Sequence, residues 1–362
     1  MSKLCFTVTN DLVYDQRMIR ICTSLQQKGH EVTLIGREGS VSPGLLPRTF
    51  NQIRLRCLIK SGPLSYAEYN ARLFIFLLFR SWDLVCAIDL DTILPCWLAS
   101  GLKRKKRVYD AHELFCEMKE VVSRPAIYRI WKAIERFTVP RFPDGYTVSL
   151  PIAEIFKKEY GVEYPVIRNL SRSNPFPESS GNGGFIIYQG AVNEGRSFET
   201  LIPAMQWVDL PLHIYGDGNF LEQAKAMVNL LGLEQKIIFK GKMAPDELAT
   251  MTPRARAGIT LFENKGLSNY YSMANRFFDY IQAGVPQVCV DFPAYREINE
   301  LHEVALLVDD LSPKHLAEAL NKLIHDEVLY KRLRDHCRSA AAVLNWGVEE
   351  TALLNFYDRI LN

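Results

Sequence analysis

Titratable side chains follow two predicted strands in the first half of the chain. Asp89 comes directly after the strand Leu84–Ile88, and His112 and Glu113 come just after the short strand Arg107–Tyr109. Because the carboxyl ends of parallel strands meet at one edge of a sheet, we expect the three side chains to lie together. A histidine flanked by acids at such an edge favours a catalytic role over a purely structural one. We therefore predict His112, Asp89 and Glu113 as catalytic residues.

A second candidate site lies in the stretch 268–291, which is typical of a loop, a helix, a tight turn and a buried strand. We predict that Ser272 caps the helix and that Gly284 and Pro286 end it. The residues at helical spacing that should be buried are Met273, Phe277, Phe278 and Ile281, and those on the polar faces are Asn275, Arg276, Asp279 and Gln282.

The start of this helix has the chemistry of an anion site, since its first N–H groups are unpaired and the helix dipole favours negative charge. One turn along, Asp279 could accept hydrogen bonds from two vicinal hydroxyls. A phosphate at the helix start and a ribose one turn along describe a nucleoside diphosphate. The alternative is a surface helix whose polar residues are solvated.

Three further turns after predicted strands could contact the same ligand. Gly190 follows the strand Phe185–Gln189, and Arg196 lies six residues on, within reach of a phosphate. The next strand ends in Gly216-Asp217-Gly218, and a third ends at Lys240, in a loop that could frame a base. Leu221 stands where the GxGxxG dinucleotide fingerprint needs its last glycine, which disfavours a dehydrogenase.

Composition indicates a soluble globular protein, and the length of the chain favours two domains. The chain has 362 residues, 48% of them hydrophobic and 23% charged. Residues 1–172 carry 26 Lys+Arg and 17 Asp+Glu, a net charge of +9, which leaves −7 for the rest of the total of +2. The basic half contains the run KRKKR at 103–107 and a basic, aromatic helix over 127–137. This asymmetry predicts that the first half meets an anionic partner, although a solvated surface is the simpler alternative.

The sequence lacks the motifs of several classes of enzyme and binding protein. We find no P-loop, no GxSxG, no HExxH and no CxxC, and the eight scattered cysteines favour free thiols in a reducing compartment. The carboxylates show no clear metal-ligand spacing, so we predict no metal and no cofactor. The sequence shows no signal peptide, and its most apolar run, at 73–79, is far shorter than a membrane span. The expected location is cytoplasmic.

Alternating strands and helices predict two doubly wound halves. We place a first domain at 1–170, a linker rich in Pro, Gly and Ser at 171–184, and a second domain at 185–345. The last strand of the first half is predicted at 164–167. A final amphipathic helix is expected over 346–362.

The motifs in this order resemble family 4-type glycosyltransferases of the GT-B fold. GxxxxxR at 190–196, GDG at 216–218, FKG at 239–241, ANRFFDYIQAGVPQV at 274–288 and the closing NW…Y pattern look like the donor-binding half of that family. DLDT at 89–92, YDAHELFCE at 109–117, the RPAIYRIWKAIE helix, YTVS at 146–149 and VIRN at 166–169 look like the acceptor half of a bacterial branch. The resemblance spans essentially the whole chain.

This resemblance implies two Rossmann-like domains that face each other across a cleft, with the final helix crossing back to the first domain. It implies transfer of a sugar with retention, without an essential metal, from a UDP or GDP sugar to a glycan or lipid-linked acceptor. Arg196 stands where the family has its diphosphate-binding lysine, and Asp279 stands at the second, ribose-binding acid of its Glu-x7-Glu motif. The donor contacts are then Gly190, Arg196, Gly216, Asp217, Gly218, Lys240, Ser272, Asn275, Arg276 and Asp279, and the acceptor-side contacts are Asn10, Asp15 and Arg17.

The sequence departs from the family pattern in three places, at four residues. Tyr271 replaces the first acid of the motif, Ala191 replaces an arginine, and Val13 and Tyr14 replace paired glycines. With Ala191 at this position the diphosphate has one cation fewer, so Arg276, Lys265 or hydrogen bonds from backbone amides must compensate.

We expect no nucleic-acid partner. The basic first half predicts instead peripheral contact with an anionic membrane at the inner face of the plasma membrane. Two alternatives remain open, a sugar-nucleotide 2-epimerase of the same fold and a non-catalytic partner subunit, the latter because of Tyr271.

Overall fold

The computed structural model describes residues 1–10, 12–13, 15–39, 42, 44–59, 62–172 and 183–362. These residues divide into two units, Met1–Asn169 with Glu349–Asn362, and Leu170–Val348. Asp11, Tyr14 and most of the predicted linker, residues 173–182, lie outside the described residues. No helix in the described ranges is long and apolar enough to cross a membrane.

The first unit is a parallel sheet with helices between its strands. Its elements are β1 (Lys3–Thr7), α1 (Gln16–Gln27), β2 (Glu31–Arg37), β3 (Asn51–Leu55), α2 (Pro63–Phe79), β4 (Leu84–Ile88), α3 (Ile93–Lys103), β5 (Lys106–Ala111), α4 (Lys119–Val122), α5 (Pro125–Thr138), β6 (Gly145–Thr147) and α6 (Leu150–Tyr160). The described strands run in the order β3-β2-β1-β4-β5-β6. This is the classic dinucleotide-fold order, whose reversal between β1 and β4 opens a ligand crevice at the carboxyl ends of the strands.

The second unit repeats the same topology. Its elements are β7 (Ile186–Gln189), α7 (Phe198–Ala204), β8 (Leu212–Tyr215), α8 (Leu221–Leu230), β9 (Ile237–Gly241), α9 (Pro245–Met251), β10 (Ala257–Thr260), α10 (Leu267–Tyr271), α11 (Asn275–Ala283), β11 (Gln287–Val290), α12 (Pro293–His302), β12 (Ala305–Val308), α13 (Pro313–His325) and α14 (Glu327–Ala341). The order β12-β11-β10-β7-β8-β9 puts the corresponding crevice between β7 and β10.

The last helix, α15 (Trp346–Leu361), belongs to the first unit from Glu349 onward. Tyr357 on this helix is fully buried, with its ring centroid 5.9 Å from that of Phe6 on β1. Its hydroxyl oxygen lies 3.3 Å from that of Tyr146 on β6. Helix α15 therefore fills part of the core of the first unit.

The predicted α/β alternation and parallel sheets are confirmed, but some elements differ. Helices α3 and α12 were not predicted. The predicted strand at 164–167 is wrong, because only a single bridge joins Val166 to Thr147. Ser272 does not cap α11; its hydroxyl donates to the Asn269 carbonyl of α10 (2.9 Å), and Ala274 precedes the first turn of α11.

Candidate functional site

Two loops meet at the carboxyl edge of the second sheet, and glycine permits their close approach. Gly190, directly after β7, has φ 127° and donates its N–H to the Tyr215 carbonyl (3.0 Å). A Cβ added to Gly216 would stand 1.8 Å from the Gly190 carbonyl oxygen. A larger residue at Gly216 would therefore force the two loops apart, and one at Gly190 would be strained by its positive φ.

Two asparagines join these loops reciprocally. Asn219 Oδ1 accepts a hydrogen bond from the Glu194 N–H, and Asn193 Oδ1 accepts one from the Asn219 N–H, both at 3.0 Å. A Cβ on Gly218 would lie 2.2 Å from the same Asn193 oxygen. The paired loops thus form one fixed wall at the end of β7 and β8.

This wall borders a cavity of about 610 Å³ in the second unit. The cavity is lined by Gly190, Ala191, Tyr215, Gly216, Asp217, Gly218, Lys242, Met243 and Leu248. The structure brings together the predicted Gly190, Gly216, Asp217 and Gly218, and adds Tyr215, Lys242, Met243 and Leu248, which we did not predict.

Lys240, predicted in the same site, is exposed on β9 and does not line the cavity. Its displacement has a local cause. Phe239 pairs with Ile214 and Gly241 with Tyr215, so Lys240 is the extra residue of a β-bulge between two neighbouring pairs. The basic residue at the cavity is Lys242, two positions later, and the glycine between the two lysines is the only sequence signal for this shift.

Arg276 on α11 lies at the reversal point of the second sheet. Its Nη1 donates to the Tyr188 hydroxyl (3.2 Å) and its Nη2 to the Leu261 carbonyl (3.4 Å). The guanidinium carbon lies 4.7 Å from the centroid of the Tyr188 ring and 4.8 Å from that of Phe262. A Cβ on Gly190 would be 3.0 Å from Nη1, so the cation borders the end of β7.

The charge of Arg276 is buried, and the part of the chain that the structure describes gives it no counterion. The residue is 7% exposed, and its Nε has no hydrogen-bond partner. Across the described ranges, no carboxylate lies within ion-pair distance of this guanidinium. A buried cation is normally paired, so an anion at this position would stabilise it.

Arg196 brings a second cation to the same ring. Its guanidinium carbon lies 4.3 Å from the centroid of Phe262, and the residue is half-buried. Two guanidinium groups on one aromatic ring repel each other, and a ligand with two negative charges would relieve this repulsion.

Asp279 lies half-buried on α11, three residues from Arg276. It accepts hydrogen bonds from the Ser171 hydroxyl and from Gln189 Nε2 (3.0 Å). Gln189 Oε1 in turn accepts from the Thr252 hydroxyl (2.8 Å). The carboxylate is therefore held at the end of β7 by neighbouring side chains.

The other predicted polar residues of α11 have different environments. Asn275 is exposed at the first position of the helix. Gln282 is buried and donates to the Ala341 and Leu344 carbonyls, at 3.1 and 2.8 Å, so its role is structural.

In the first unit, the three predicted catalytic residues lie together. The distance from His112 Nδ1 to Asp89 Oδ2 is 2.8 Å. The potential ligand atoms of Asp89, His112 and Glu113 all lie within 4.8 Å of one another, close enough for one metal ion to contact all three. Asp89 has φ 55°, which is rare for a residue with a side chain and marks a strained turn.

Burial and mutual attraction act in opposite directions on this pair. Burial lowers the pKa of His112, but the charge of Asp89 and its hydrogen bond outweigh this and raise the pKa to about 10. Burial raises the pKa of Asp89, and His112 opposes that shift. The proton of the pair therefore resides on His112 at neutral pH, which makes the imidazole a cationic hydrogen-bond donor.

A second carboxyl group lies one turn from Asp89. Asp91 accepts a hydrogen bond from the Thr9 hydroxyl, and its backbone carbonyl accepts one from Asn70 Nδ2 (2.9 Å). Burial raises the pKa of Asp91 to about 7, with the charge of Glu113 as a further cause. The two acids at the end of β4 thus differ in the group that opposes the effect of burial on their pKa, His112 for Asp89 and the Thr9 hydroxyl for Asp91.

The predicted acceptor-side residues do not form one group. Asn10 is exposed after β1. Asp15 caps α1 by accepting from the Met18 N–H (3.0 Å). Arg17 is 4% exposed and makes a bidentate ion pair with Asp110 (2.8 and 2.9 Å), which places it in the core of the first unit.

Comparison with known proteins finds one family match, which lies in the second unit. Residues 172–342 match the family described as Glycosyl transferases group 1. Among curated proteins, none matches this sequence.

Solved structures share the whole fold at low sequence identity. HepE from Anabaena, solved with UDP and glucose, has a TM-score of 0.77 at 15% identity, with 99% of this chain and 100% of that chain covered. Sucrose-phosphate synthase from Thermosynechococcus elongatus has a TM-score of 0.82 at 14% identity, with 100% of this chain and 99% of that chain covered. WaaG, a glycosyltransferase involved in lipopolysaccharide biosynthesis, has a TM-score of 0.76 at 16% identity, with 97% of this chain and 98% of that chain covered. The chain therefore has the fold of these GT-B glycosyltransferase structures, and most of its second unit matches the group 1 glycosyl transferase model.

Proposed function

We propose that this chain is a retaining glycosyltransferase of the family 4 type, which transfers a sugar from a nucleoside diphosphate sugar to an acceptor hydroxyl. The observation that carries the proposal is the pair Arg196 and Arg276 on the ring of Phe262, where one buried cation has no described carboxylate near it. A diphosphate supplies the negative charge that this environment lacks.

The remaining parts of the donor fit the neighbouring residues. The cavity of about 610 Å³ has a polar glycine wall and the apolar Met243 and Leu248, an arrangement suited to a nucleoside. Asp279 is the residue that we propose accepts hydrogen bonds from the ribose hydroxyls. HepE was solved with UDP and with UDP-glucose, which supports a UDP sugar as the first donor to test.

Arg276 also accounts for one departure from the family pattern. Ala191 stands where the family often has an arginine, and Ala191 is itself exposed at the cavity. Arg276 reaches the same strand end from α11, since its Nη1 borders Gly190. We propose that this arginine supplies the cation that position 191 lacks.

The proposed chemistry follows from these charges. The guanidinium groups stabilise the negative charge that develops on the departing nucleoside diphosphate, which lowers the barrier without a metal. The acceptor hydroxyl attacks the anomeric carbon on the face that the leaving group vacates, and its proton passes to the leaving phosphate. In the first unit, cationic His112 donates a hydrogen bond to a sugar oxygen while Asp89 holds the imidazole in place.

We further propose that the acceptor is a glycan or lipid-linked saccharide met at an anionic membrane surface on the cytoplasmic side. WaaG acts in lipopolysaccharide biosynthesis, which supports a role in bacterial surface polysaccharide synthesis. One base of the helix that the sequence predicted to contact the membrane is used within the fold. Lys132 on α5 is only 11% exposed and binds Glu135, Glu159 and the Tyr160 hydroxyl.

The first unit instead presents an apolar face, which we define as the exposed side chains Ile75, Phe79, Leu98, Leu102, Ile130 and Phe137 of α2, α3 and α5. Lys103 Nζ ties the end of α3 to the Leu78 carbonyl of α2 (3.0 Å), and the rings of Trp97 and Phe137 meet at 4.9 Å. The exposed bases along these helices include Arg80, Arg104, Lys105, Arg136 and Arg141. Apolar residues flanked by cations complement an anionic lipid surface.

The test of the transferase proposal is turnover with defined donors. The purified chain is incubated with UDP- and GDP-sugars, with and without a bacterial lipid extract, and products are separated by mass spectrometry. We expect nucleoside diphosphate release that depends on the extract, with a glycosylated lipid as the second product. An altered nucleotide sugar formed without extract would instead indicate an epimerase, and failure to bind any nucleotide sugar would indicate a non-catalytic subunit.

A further inference from the structure

A buried glutamine connects the acid of the proposed nucleotide site to the cavity beside it. Gln189 is the last residue of β7 and is 4% exposed. Its Nε2 donates to Asp279 Oδ2 on α11 (3.0 Å), and its Oε1 accepts from the hydroxyl of Thr252, directly after α9 (2.8 Å). The same hydroxyl lies 2.9 Å from the carbonyl oxygen of Leu248, which lines the cavity. Gln189 therefore links the end of α9 to α11.

The partners of Gln189 determine which way its amide points. An ionised carboxylate only accepts hydrogen bonds, so the amide NH2 must face Asp279 and the amide oxygen must face Thr252. The hydroxyl of Thr252 supplies the hydrogen that this oxygen needs. The backbone N–H of Gln189 donates to the Tyr280 hydroxyl (3.3 Å). The backbone and the side chain of Gln189 are thus both fixed, and so is the N–H group that it presents to Asp279.

This arrangement orients the carboxylate of Asp279 without neutralising it. The Ser171 hydroxyl donates to Oδ1, and it is uncharged like the amide that donates to Oδ2. Because each oxygen is held by its own hydrogen bond, rotation of the carboxylate would break both bonds. A carboxylate has about four acceptor sites, so it can keep these two bonds while it accepts hydrogen bonds from ribose hydroxyls.

A second buried glutamine on the same helix has a different set of partners. Gln282 lies three residues beyond Asp279 on α11 and is 6% exposed. Its Nε2 donates to two backbone carbonyl oxygens, those of Ala341 and Leu344. Gln282 therefore joins segments of backbone, whereas Gln189 holds an ionisable side chain at the proposed ligand site.

We propose that Gln189 and Thr252 are positioning residues for the ribose of the sugar nucleotide. They fix the Asp279 carboxylate toward the 2′ and 3′ hydroxyls, so that the site selects a ribonucleotide over its 2′-deoxy counterpart. A fixed acceptor that loses its hydroxyl partner is left unpaired, which disfavours the deoxy ligand. The inference rests on the proposed function, and it narrows the sugar nucleotide to the ribonucleotide class, which excludes thymidine diphosphate sugars.

Calorimetry on the full chain tests this selection without turnover. The ligands are UDP, GDP and the 2′-deoxy form of each. For the ribonucleotide that binds, we expect the 2′-deoxy form to bind about tenfold more weakly, which corresponds to ~1.4 kcal/mol. Equal affinities would overturn the inference and leave the nucleotide site standing. If neither UDP nor GDP binds the parent protein, the proposed function fails, and the inference fails with it.

A methionine variant separates positioning from a general structural effect. Gln189→Met keeps the length of the side chain and removes the amide. It should weaken binding of the ribonucleotide about tenfold and of the 2′-deoxy form less than about threefold, so that most of the preference disappears. Gln282→Met is the matched control, because it loses two hydrogen bonds to backbone carbonyls and should lower the urea midpoint while keeping the preference. A preference that persists in Gln189→Met, or that falls equally in both variants, would contradict the positioning role.

Thr252 allows a second check that leaves Gln189 in place. Thr252→Val keeps the shape of the side chain but removes the hydrogen bond to Gln189 Oε1, so the amide is no longer held toward Asp279. We expect the preference for the ribonucleotide to fall to about threefold in Thr252→Val and to return to about tenfold in Thr252→Ser, which restores the hydroxyl. Equal preferences in the valine and serine variants would overturn the role of this hydroxyl.

Discussion

Replacing Arg276 by methionine should separate two effects of its buried charge, the effect on the stability of the ligand-free protein and the effect on nucleotide affinity. Methionine is of similar length and apolar, so it fills the space between the rings of Tyr188 and Phe262. The variant loses two long hydrogen bonds, of 3.2 and 3.4 Å, but also removes a buried charge without a described carboxylate partner. Exchanging a buried charge for a hydrophobic residue is often neutral or stabilising. We expect the free energy of unfolding without ligand to change by less than about 1 kcal/mol, or to rise.

Nucleotide affinity should change much more. A hydrogen bond to a charged group contributes ~1.5–3 kcal/mol, so the affinity for a nucleoside diphosphate should fall roughly 10- to 150-fold. Urea unfolding measures the stability of the ligand-free protein, and calorimetry with UDP measures the affinity. The two measurements should therefore move independently, or even in opposite directions.

Arg256 provides a matched control in the same unit. Its guanidinium carbon lies 3.5 Å from the centroid of Tyr330, and its Nη2 donates to the Ile324 carbonyl (2.8 Å) and to Glu327 (2.6 Å). Arg256→Met should lower stability by roughly 1–2 kcal/mol, mainly through the carbonyl and the ring because Glu327 is exposed, and should leave UDP affinity unchanged. The reasoning is refuted if Arg276→Met binds UDP like the parent, or loses as much stability as Arg256→Met.

Four further predictions test the remaining assignments. Asp279→Asn should weaken binding of UDP by roughly 1.5–3 kcal/mol and binding of uridine equally, because the ribose is common to both; unchanged affinity in calorimetry removes the residue from the site. Arg196→Ala should weaken UDP more than uridine, and equal losses would place its action elsewhere. In Asp89→Asn, loss of the carboxylate should lower the pKa of His112 from about 10 toward its ordinary value, as followed by NMR titration. The raised pKa of the parent stabilises its fold below pH ~6.5, and this contribution is lost as the pH rises through about 10; the variant should show a smaller loss of stability over that range. Phe79→Ser should reduce co-sedimentation with anionic liposomes at low salt, while equal sedimentation with neutral and anionic liposomes would contradict the membrane proposal.

The topology could be predicted well from the sequence because it depends on local patterns of apolar and turn residues. Buried strands such as Leu84–Ile88 and Gln287–Val290 were placed within a residue, since continuous apolar runs bounded by turns have few other solutions. Gly284 ends α11 with φ 67°, as its position after the last apolar residue predicted. Asp89, His112 and Glu113 were expected together because three positions at strand ends converge in any parallel sheet.

The misses depend on tertiary contacts that no local pattern records. Arg17 looks available in sequence, and only the fold brings Asp110 to it across 93 positions. Lys240 is turned away by a bulge in β9, which the sequence of a single strand cannot reveal. Ser272 had the chemistry of a helix cap, but α10 ends next to it and offers the Asn269 carbonyl.

The return of α15 to the first unit has a consequence for biosynthesis. Arg168 donates its backbone N–H to Glu349 (2.8 Å), so the two segments of the first unit meet where the chain leaves and re-enters it. A ribosome adds ~5–20 residues per second, so the intervening residues 170–348 take roughly 10–35 s to appear. Throughout that interval Phe6 and Tyr146 lack their contact with Tyr357. The first unit therefore cannot complete its core until the second unit and α15 have been synthesised. A stalled or truncated chain therefore displays an unfilled aromatic pocket in its amino-terminal half, a surface that chaperones and proteases recognise.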